Sequence, residues 1–429
     1  VNKTIIALVD CNCFYCSCER LFRPDLKNTP VGVLSNNDGC FVSRTNELKK
    51  LGVPMGAPYF KFKSICEKNK VAVFSANFSL YTNISDRVMN TLFQFTPGLE
   101  VYSVDEAFLD LSGMDEKTIT EYCRHIKAVV ERHTGIPVGI GIGRTKVIAK
   151  LANRMAKKID KYNGVYNALS PDHLEHALTT IDIGDVWGIG RQSTIKMHTL
   201  GIKKARDLRD FQNTLLIQKL FTKVGRMIQD EMREITCFPF NELPEKKKEI
   251  MCSRTFGVPI FDLQSIRESI ACYASLACEK LRKQNSVCSE ISVYIRTNPF
   301  KEIPQYARVE RVKLSAPTCD TRKIIREAFK LLDQIFIEGY EYKKAAISLS
   351  SIQDASECQI ALFGDNDSSL DLTLMKTMDQ INAREGQEII KSAACGTNKE
   401  AWFMKQVMKS KRFVSGWSEL LKLSVVEKK

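Results

Sequence analysis

The stretch Leu99-Glu100-Val101-Tyr102-Ser103-Val104-Asp105-Glu106-Ala107-Phe108-Leu109-Asp110-Leu111 decides how the rest of the chain is read. It reads as a hairpin or a long strand with two adjacent acids among apolar neighbours. Side chains alternate faces along a regular strand, so Asp105 and Glu106 would diverge on one. For both to serve one site the backbone has to turn or bulge there, as strands do beside active sites. A further carboxylate comes from the β-branched run Thr4-Ile5-Ile6-Ala7-Leu8-Val9, a buried strand that delivers Asp10 at its C-terminal end. Unpaired carboxylates are expensive in such surroundings, so positive charge has to compensate Asp10, Asp105 and Glu106.

Two sources of that charge are open. Structural pairing with Lys or Arg is one. The other is a divalent cation: no His or Cys set lies nearby, and an all-oxygen shell favours Mg2+ or Mn2+. Two such ions held by shared carboxylates support in-line displacement at phosphorus.

Working outward, a helix is expected from Asn12 to Leu21, a second strand from Val31 to Ser35, and a polar turn at Asn36-Asn37-Asp38-Gly39. Thr45 to Leu51 reads as a helical stretch stopped by Gly52. After a helix from Ile119 to His133, Ile136-Pro137-Val138-Gly139-Ile140-Gly141-Ile142-Gly143 alternates branched residues with glycine. One face of that strand is greasy and the other bare, which serves either a closely packed backbone or a ligand. The glycine spacing is wrong for a dinucleotide fold, and no GxxxxGK[ST] occurs, so Rossmann and P-loop readings fail.

Thr145 is the expected N-cap of a helix from Lys146 to Ile159 with an apolar stripe and a basic one, the latter made of Lys146, Lys150, Arg154 and Lys157. Its position directly after the bare strand suggests a phosphate-facing role. Short helical segments follow Asn163-Gly164, among them Trp187-Gly188-Ile189-Gly190-Arg191, a turn entering a helix whose free N–H groups would cradle one phosphate. Beyond the charged linker Pro244 to Glu249 lies an α+β unit, from a strand at Ile250 to Phe256 through a strand at Tyr342 to Leu349. The tail from Gln353 is polar at first, then helical and mixed.

The balance of 63 Lys and Arg against 50 Asp and Glu, a net charge of +13 over 429 residues, points to a polyanionic partner. At 44% hydrophobic residues the chain can bury several cores. No apolar run approaches the roughly 20 residues a spanning helix needs, so a cytoplasmic protein is expected. The 15 cysteines are then reduced thiols. Cys11, Cys13, Cys16 and Cys18 lack the loop spacing of a zinc site and read as small apolar packing residues.

Asp10-Cys11-Asn12-Cys13-Phe14-Tyr15, Leu34-Ser35-Asn36-Asn37-Asp38-Gly39-Cys40, Tyr102-Ser103-Val104-Asp105-Glu106-Ala107-Phe108 and Val186-Trp187-Gly188-Ile189-Gly190 together resemble the Y-family DNA polymerases, specifically the UmuC type that forms the catalytic subunit of bacterial SOS polymerase V. The resemblance runs through nearly the whole chain. It implies an α+β multidomain right hand: a ferredoxin-like palm over 1–10 and 80–168, small fingers over 11–79, a helix-hairpin-helix thumb over 169–242, an α+β little finger over 243–352, and a C-terminal tail over 353–429.

Carried over by position, Asp10, Asp105 and Glu106 would be the catalytic carboxylates and hold two Mg2+ or Mn2+ ions, with the Cys11 carbonyl as a further ligand. Tyr15 would be the steric gate that crowds a ribose 2′-hydroxyl, with Phe14 beside it, and Lys157 would meet the dNTP triphosphate. The fingers depart from the common Tyr-x-Ala-Arg pattern: this chain has Asn46-Glu47-Leu48-Lys49, so Lys49 or Arg44 would stand in for the arginine. A lysine there is a point charge and cannot form a bidentate fork. Gly188, Ile189 and Gly190, with Lys146, Lys150 and Arg154, would contact primer–template DNA. Gln359-Ile360-Ala361-Leu362-Phe363 resembles the pentapeptide that docks on the β sliding clamp. Further implied partners are a UmuD′-type dimer and a RecA-type recombinase filament. The implied activity is error-prone translesion synthesis in the SOS response. A metal-dependent nuclease or cyclase on a palm-like sheet shares the carboxylates but needs no Tyr15, and a non-catalytic DNA-binding accessory protein shares only the charge.

Overall fold

The structure is a computed structural model that describes residues 4–241, 245–358, 367–385, 389–397, 402–414 and 416–420. These fall into two compact units, one drawn from Val1–Ser35, Cys40–Pro244 and Met408–Lys429, the other from Asn36–Gly39 and Glu245–Val407.

In the first unit the chain runs β1 (Ile6–Cys11), α1 (Phe14–Leu21), β2 (Val31–Leu34), β3 (Phe41–Arg44), α2 (Asn46–Lys50), α3 (Tyr59–Lys68), β4 (Ala72–Ser75) and α4 (Phe78–Leu92). It continues through β5 (Leu99–Val101), β6 (Glu106–Asp110), α5 (Ile119–Thr134), β7 (Val138–Gly143), α6 (Lys146–Lys158) and β8 (Val165–Asn167). Four helices close it: α7 (Pro171–Thr180), α8 (Arg191–Thr199), α9 (Ala205–Asp210) and α10 (Thr214–Met232). A five-stranded sheet has the order β5-β6-β1-β7-β8, and a three-stranded sheet the order β3-β2-β4.

Strand β1 lies at the centre of the larger sheet, antiparallel to β6 and β7, and its period of two sorts its residues between two layers. Ala7, Val9 and Cys11 enter the core shared with α4 and α5. Ile6 and Leu8 face the other way, into a small cluster with Phe108 of β6 and Ala149 of α6. Asp10 follows in the Ile6 and Leu8 register, so its carboxylate is on the α6 face.

The bare strand face has a definite occupant. Gly139, Gly141 and Gly143 sit opposite Asp10, Leu8 and Ile6, so they look at α6 too. A Cβ on Gly141 would stand 2.0 Å from the Asn153 N and 2.3 Å from the Ala149 O, and one on Gly143 would meet Ile148 at 2.5 Å. The helix backbone itself fills the space, which decides between the packed-backbone and ligand readings. Thr145 caps α6 as expected, its side chain accepting from the Ile148 N–H.

The second unit carries β9 (Ile250–Ile260), α11 (Leu263–Lys283), β10 (Ser286–Arg296), β11 (Ala307–Thr318), α12 (Thr321–Ile335), β12 (Tyr342–Asp354) and α13 (Ser369–Glu385). The sheet order is β11-β10-β12-β9, and α11 and α12 bury their apolar faces on it around Ile291, Val293 and Ile347. Arg282 fixes α13 with a two-pronged contact to Asp379, both bonds 2.7 Å. The turn Asn36–Gly39 belongs to this unit. Asn37 and Asp38 take positive φ values of 60° and 52°, which Asn and Asp tolerate better than most residues. Asn37 donates to the Thr255 carbonyl at 2.7 Å and accepts from the Lys405 N–H at 2.8 Å, and Asp38 accepts from the Val407 N–H at 3.0 Å. Among the described residues, no helix is long and apolar enough to cross a membrane.

Candidate active site

Strand β1 brings Asp10 to the end of the central sheet, directly opposite Glu106 of β6. Residues paired across antiparallel strands put their side chains on the same face, so these two carboxylates converge. Asp105 is recruited by a turn. Strands β5 and β6 form a hairpin and not one long strand, and the Tyr102 and Ser103 N–H groups both donate to the Glu106 carbonyl at 3.1 Å. The Ser103 hydroxyl donates to Asp105 Oδ1 at 2.6 Å and accepts from the Glu106 N–H at 3.1 Å. The Cys11 N–H donates to the Asp105 carbonyl at 2.8 Å, which locks this turn to β1. The adjacent acids thus avoid divergence because Asp105 precedes the regular strand.

The compensating charge comes from α6. Lys157 forms an ion pair with Asp10, and Lys150 Nζ donates to both Glu106 oxygens at 3.0 and 2.9 Å. Lys150 also lies over the Tyr102 ring at 4.4 Å and the Trp187 ring at 5.2 Å from their centroids. Burial nevertheless pushes the Asp10 carboxyl up to about 6, against the pull of Lys157 and with help from the charges of Glu106 and Asp105. Two ammonium groups leave this cluster short of positive charge.

A hard divalent cation fits that deficit. The available donors are carboxylate oxygens, and burial pushes the Cys11 thiol far above its ordinary range, which leaves the backbone carbonyl as that residue's donor. Among the described residues, no three Asp, Glu, His or Cys side chains are already drawn together as a metal cluster. Lys157 and Lys150 hold Asp10 and Glu106 instead, and Ser103 holds Asp105.

Two cavities adjoin α6 here, and the smaller reaches the carboxylates. One of about 250 Å3 is bordered by Asp10, Glu106, Lys150, Arg154, Lys157 and Trp187. The other, about 760 Å3, is bordered by Asn12, Cys13, Lys49, Lys127, Arg154 and Lys157. Arg154 and Lys157 line both. Lys49 Nζ is held by Asn46 Oδ1 at 3.1 Å and Cys13 Sγ at 3.4 Å. Arg44 lies outside that lining, spending its guanidinium on the Val53 carbonyl at 2.6 Å. Of these two cations, Lys49 is therefore the one that reaches this space.

Tyr15 sits in the first turn of α1, where Cys13, at φ 49°, bends the chain from strand into helix. Its ring stacks on Tyr81 at 4.5 Å and 14°, and both burial and the charge of Asp105 raise its hydroxyl. Phe14 turns the other way, 3% exposed, so its ring packs in the core.

The basic stripe of α6 needs correction as a DNA-facing set. Lys146 is 4% exposed, with its ammonium on both Glu100 oxygens and the Pro239 carbonyl, so it is withdrawn from any external phosphate. Lys150 serves Glu106, and Arg154 pairs with Asp185 at 2.6 Å. The bare strand sinks α6 so deeply that its lysines reach the carboxylates. Gly188, at φ +82°, and Gly190 open α8, whose first turn has no side-chain cap, while Ile189 is buried in the helical core. Among the described residues no disulfide joins the cysteines, and burial pushes the Cys16 thiol to about 12, in keeping with packing. Gln359-Ile360-Ala361-Leu362-Phe363 lies outside the described residues. Sequence reasoning gave Ser103, Lys127 and Glu100 no role; for Ser103 the signal was present, a hydroxyl two residues before an acid at a turn.

Comparison with known proteins identifies the family. Residues 9–154 match the impB/mucB/samB family model, residues 247–362 the C-terminal domain of that family, and residues 373–423 a domain of unknown function. The chain is 40% identical to Protein UmuC of Salmonella typhimurium, over 98% of this chain and all of that one. It is 37% identical to Protein ImpB of the same species over 97% of this chain and 99% of that one, and 26% identical to DNA polymerase IV of Clostridium acetobutylicum over 85% and 90%. In fold it is similar to a Y-family DNA polymerase chimera of Dbh and Dpo4, with a TM-score of 0.65, 22% identity, and coverage of 82% of this chain and 99% of that one. An insertion ternary complex of Dbh DNA polymerase gives a TM-score of 0.53 at 21% identity, covering 82% and 99%.

Proposed function

The chain belongs to the impB/mucB/samB family of Y-family DNA polymerases, and from that premise we propose that Asp10, Asp105, Glu106 and the Cys11 carbonyl hold two divalent cations, Mg2+ or Mn2+, for template-directed nucleotidyl transfer. It is a translesion DNA polymerase of the UmuC type, and DNA is its template. The observation that carries the site assignment is the cross-strand pair Asp10 and Glu106 with Asp105 held beside it by Ser103.

In this reading the primer 3′-hydroxyl oxygen attacks the α-phosphorus of a dNTP and pyrophosphate leaves. Bound cations would make that hydroxyl easier to deprotonate and stabilise charge on the leaving oxygens. The chain's own groups position the reactants. Lys49 and Lys157 are the cations of the larger cavity assigned to the triphosphate, and Lys157 borders the carboxylates as well. The Tyr15 ring, stacked on Tyr81, is the group assigned to crowd a 2′-hydroxyl. The uncapped N–H groups after Gly190 would take a DNA backbone phosphate, giving sequence-independent, salt-sensitive contact.

The same reading assigns palm to 1–10 and 80–168, fingers to 11–79, thumb to 169–242, little finger to 243–352 and tail to 353–429. It places the protein in the cytoplasm, at the nucleoid, in the SOS response. Gln359–Phe363 is the segment assigned to a β sliding clamp, and a UmuD′-type dimer and a RecA-type filament are its further partners. The test is primer extension across an abasic template by the full chain with Mg2+. Asp105→Asn with Glu106→Gln should reduce extension to background; undiminished extension by the double variant would sink the assignment.

A further inference from the structure

Glu19 is an unusual residue for the interior: it is 0% exposed, its Oε2 has no hydrogen-bond partner, and no Lys or Arg pairs with it among the described residues. Its Oε1 accepts two hydroxyls. One is Tyr81 Oη at 2.7 Å, and the other is Ser410 Oγ at 3.1 Å, which arrives from 391 residues away. The Ser410 hydroxyl is itself oriented by Asn77, whose Nδ2 donates to it at 3.0 Å and which is 1% exposed. A buried polar chain of this kind fixes the rotamers of every member, because each group left unpaired costs its full desolvation.

The segment that carries Ser410 is held at both ends within the first unit. The Ser75 N–H donates to the Met408 carbonyl at 3.0 Å, and the Met408 N–H donates to Ser75 Oγ at 2.9 Å, which extends β4 by a short parallel bridge at Lys409. Five residues past Met408, Phe413 stacks on Phe22 at 4.7 Å and 3° and is 7% exposed in the core. Ser410 therefore has a fixed place.

Glu19 lies four residues after Tyr15 on α1, so both are on one face of that helix. Tyr81 of α4 touches both, its hydroxyl on Glu19 and its ring stacked on Tyr15. We propose that the segment Met408–Phe413 is a positioning element for sugar selection: Ser410 and Glu19 fix Tyr81, and the Tyr81 ring sets the plane of Tyr15. This rests on the reading of Tyr15 as the gate against a 2′-hydroxyl. It gives part of the domain of unknown function matched at residues 373–423 a role in substrate specificity. Ser410, Glu19 and Tyr81 act through Tyr15 and touch no substrate.

The test compares incorporation of dATP and ATP opposite template thymine by the full chain and by Tyr15→Ala, Ser410→Ala, Ser410→Thr and Tyr81→Phe. Tyr81→Phe keeps the stacked ring and removes only the hydroxyl. The expected result is that Ser410→Ala and Tyr81→Phe each lower the preference for dATP by about three- to tenfold, the effect of losing one neutral hydrogen bond. The change should fall on the KM for ATP, and Ser410→Thr should restore it. If Tyr15→Ala destroys discrimination while Ser410→Ala and Tyr81→Phe preserve it, the positioning role is overturned and the gate stands. If Tyr15→Ala itself leaves discrimination intact, the gate reading falls and the positioning role with it.

Discussion

Lys150 Nζ donates to both carboxylate oxygens of Glu106, at 3.0 and 2.9 Å, in a site where the lysine side chain is 13% and the glutamate 20% exposed. Removing one partner of a mostly buried pair leaves the other charge uncompensated. Lys150→Met should therefore destabilise the metal-free protein by about 1–3 kcal/mol. Saturating Mg2+ should recover most of the loss, because the cation supplies the missing charge. Melting curves with and without Mg2+ check this; equal loss in both conditions contradicts it.

Ser103 links the two adjacent acids through three contacts: its hydroxyl donates to Asp105 Oδ1, and it accepts from the N–H groups of Asp105 at 3.3 Å and Glu106 at 3.1 Å. Ser103→Ala should free the Asp105 carboxylate without changing the sheet. Single-turnover dNTP incorporation should slow by about tenfold or more, as expected for a lost bond to a charged group, with DNA affinity little changed.

The glycines of β7 and of the α8 entry separate packing from access. Gly141→Ala places a Cβ 2.0 Å from the Asn153 N, so urea unfolding should show a loss of about 3 kcal/mol. Gly190→Ala meets no atom within 4 Å and should change stability by about 0.5 kcal/mol or less. The same Gly190→Ala variant should weaken primer–template binding, since a methyl group there intrudes on the space assigned to a phosphate.

Burial raises Glu19 above its ordinary value of 4.5, against the two hydroxyls that donate to it. The folded state thus prefers the protonated acid more strongly than the unfolded chain does. Its contribution to stability is fully present below the unfolded value and is lost as pH rises through the raised folded value. Glu19→Gln should flatten the decline in unfolding free energy over that window, measured by urea titration between about pH 4 and 8.

Strand β1 was readable because a short β-branched run ending in Asp10 has few other destinations, and the α+β second unit followed from turn signals and periodicity. The two acids at 105 and 106 raised the right question, and only the Ser103 turn answers it. The basic stripe of α6 misled for Lys146 and Lys150. Its spacing showed a shared helix face but not how closely the helix sits on Gly139, Gly141 and Gly143, and that depth turns Lys146, Lys150 and Lys157 toward acids of the palm sheet. Contacts such as Ser410 to Glu19 join residues 391 apart and have no periodic signature at all.

The most direct test is anomalous diffraction from Mn2+ in a ternary complex of the full chain with primer–template DNA and a non-hydrolysable dNTP. Two Mn2+ peaks bounded by Asp10, Asp105 and Glu106, with Lys157 released from Asp10 toward the triphosphate, are the predicted result. Ordered nucleotide with no Mn2+ peak among these carboxylates, and Lys157 still paired to Asp10, would contradict the account.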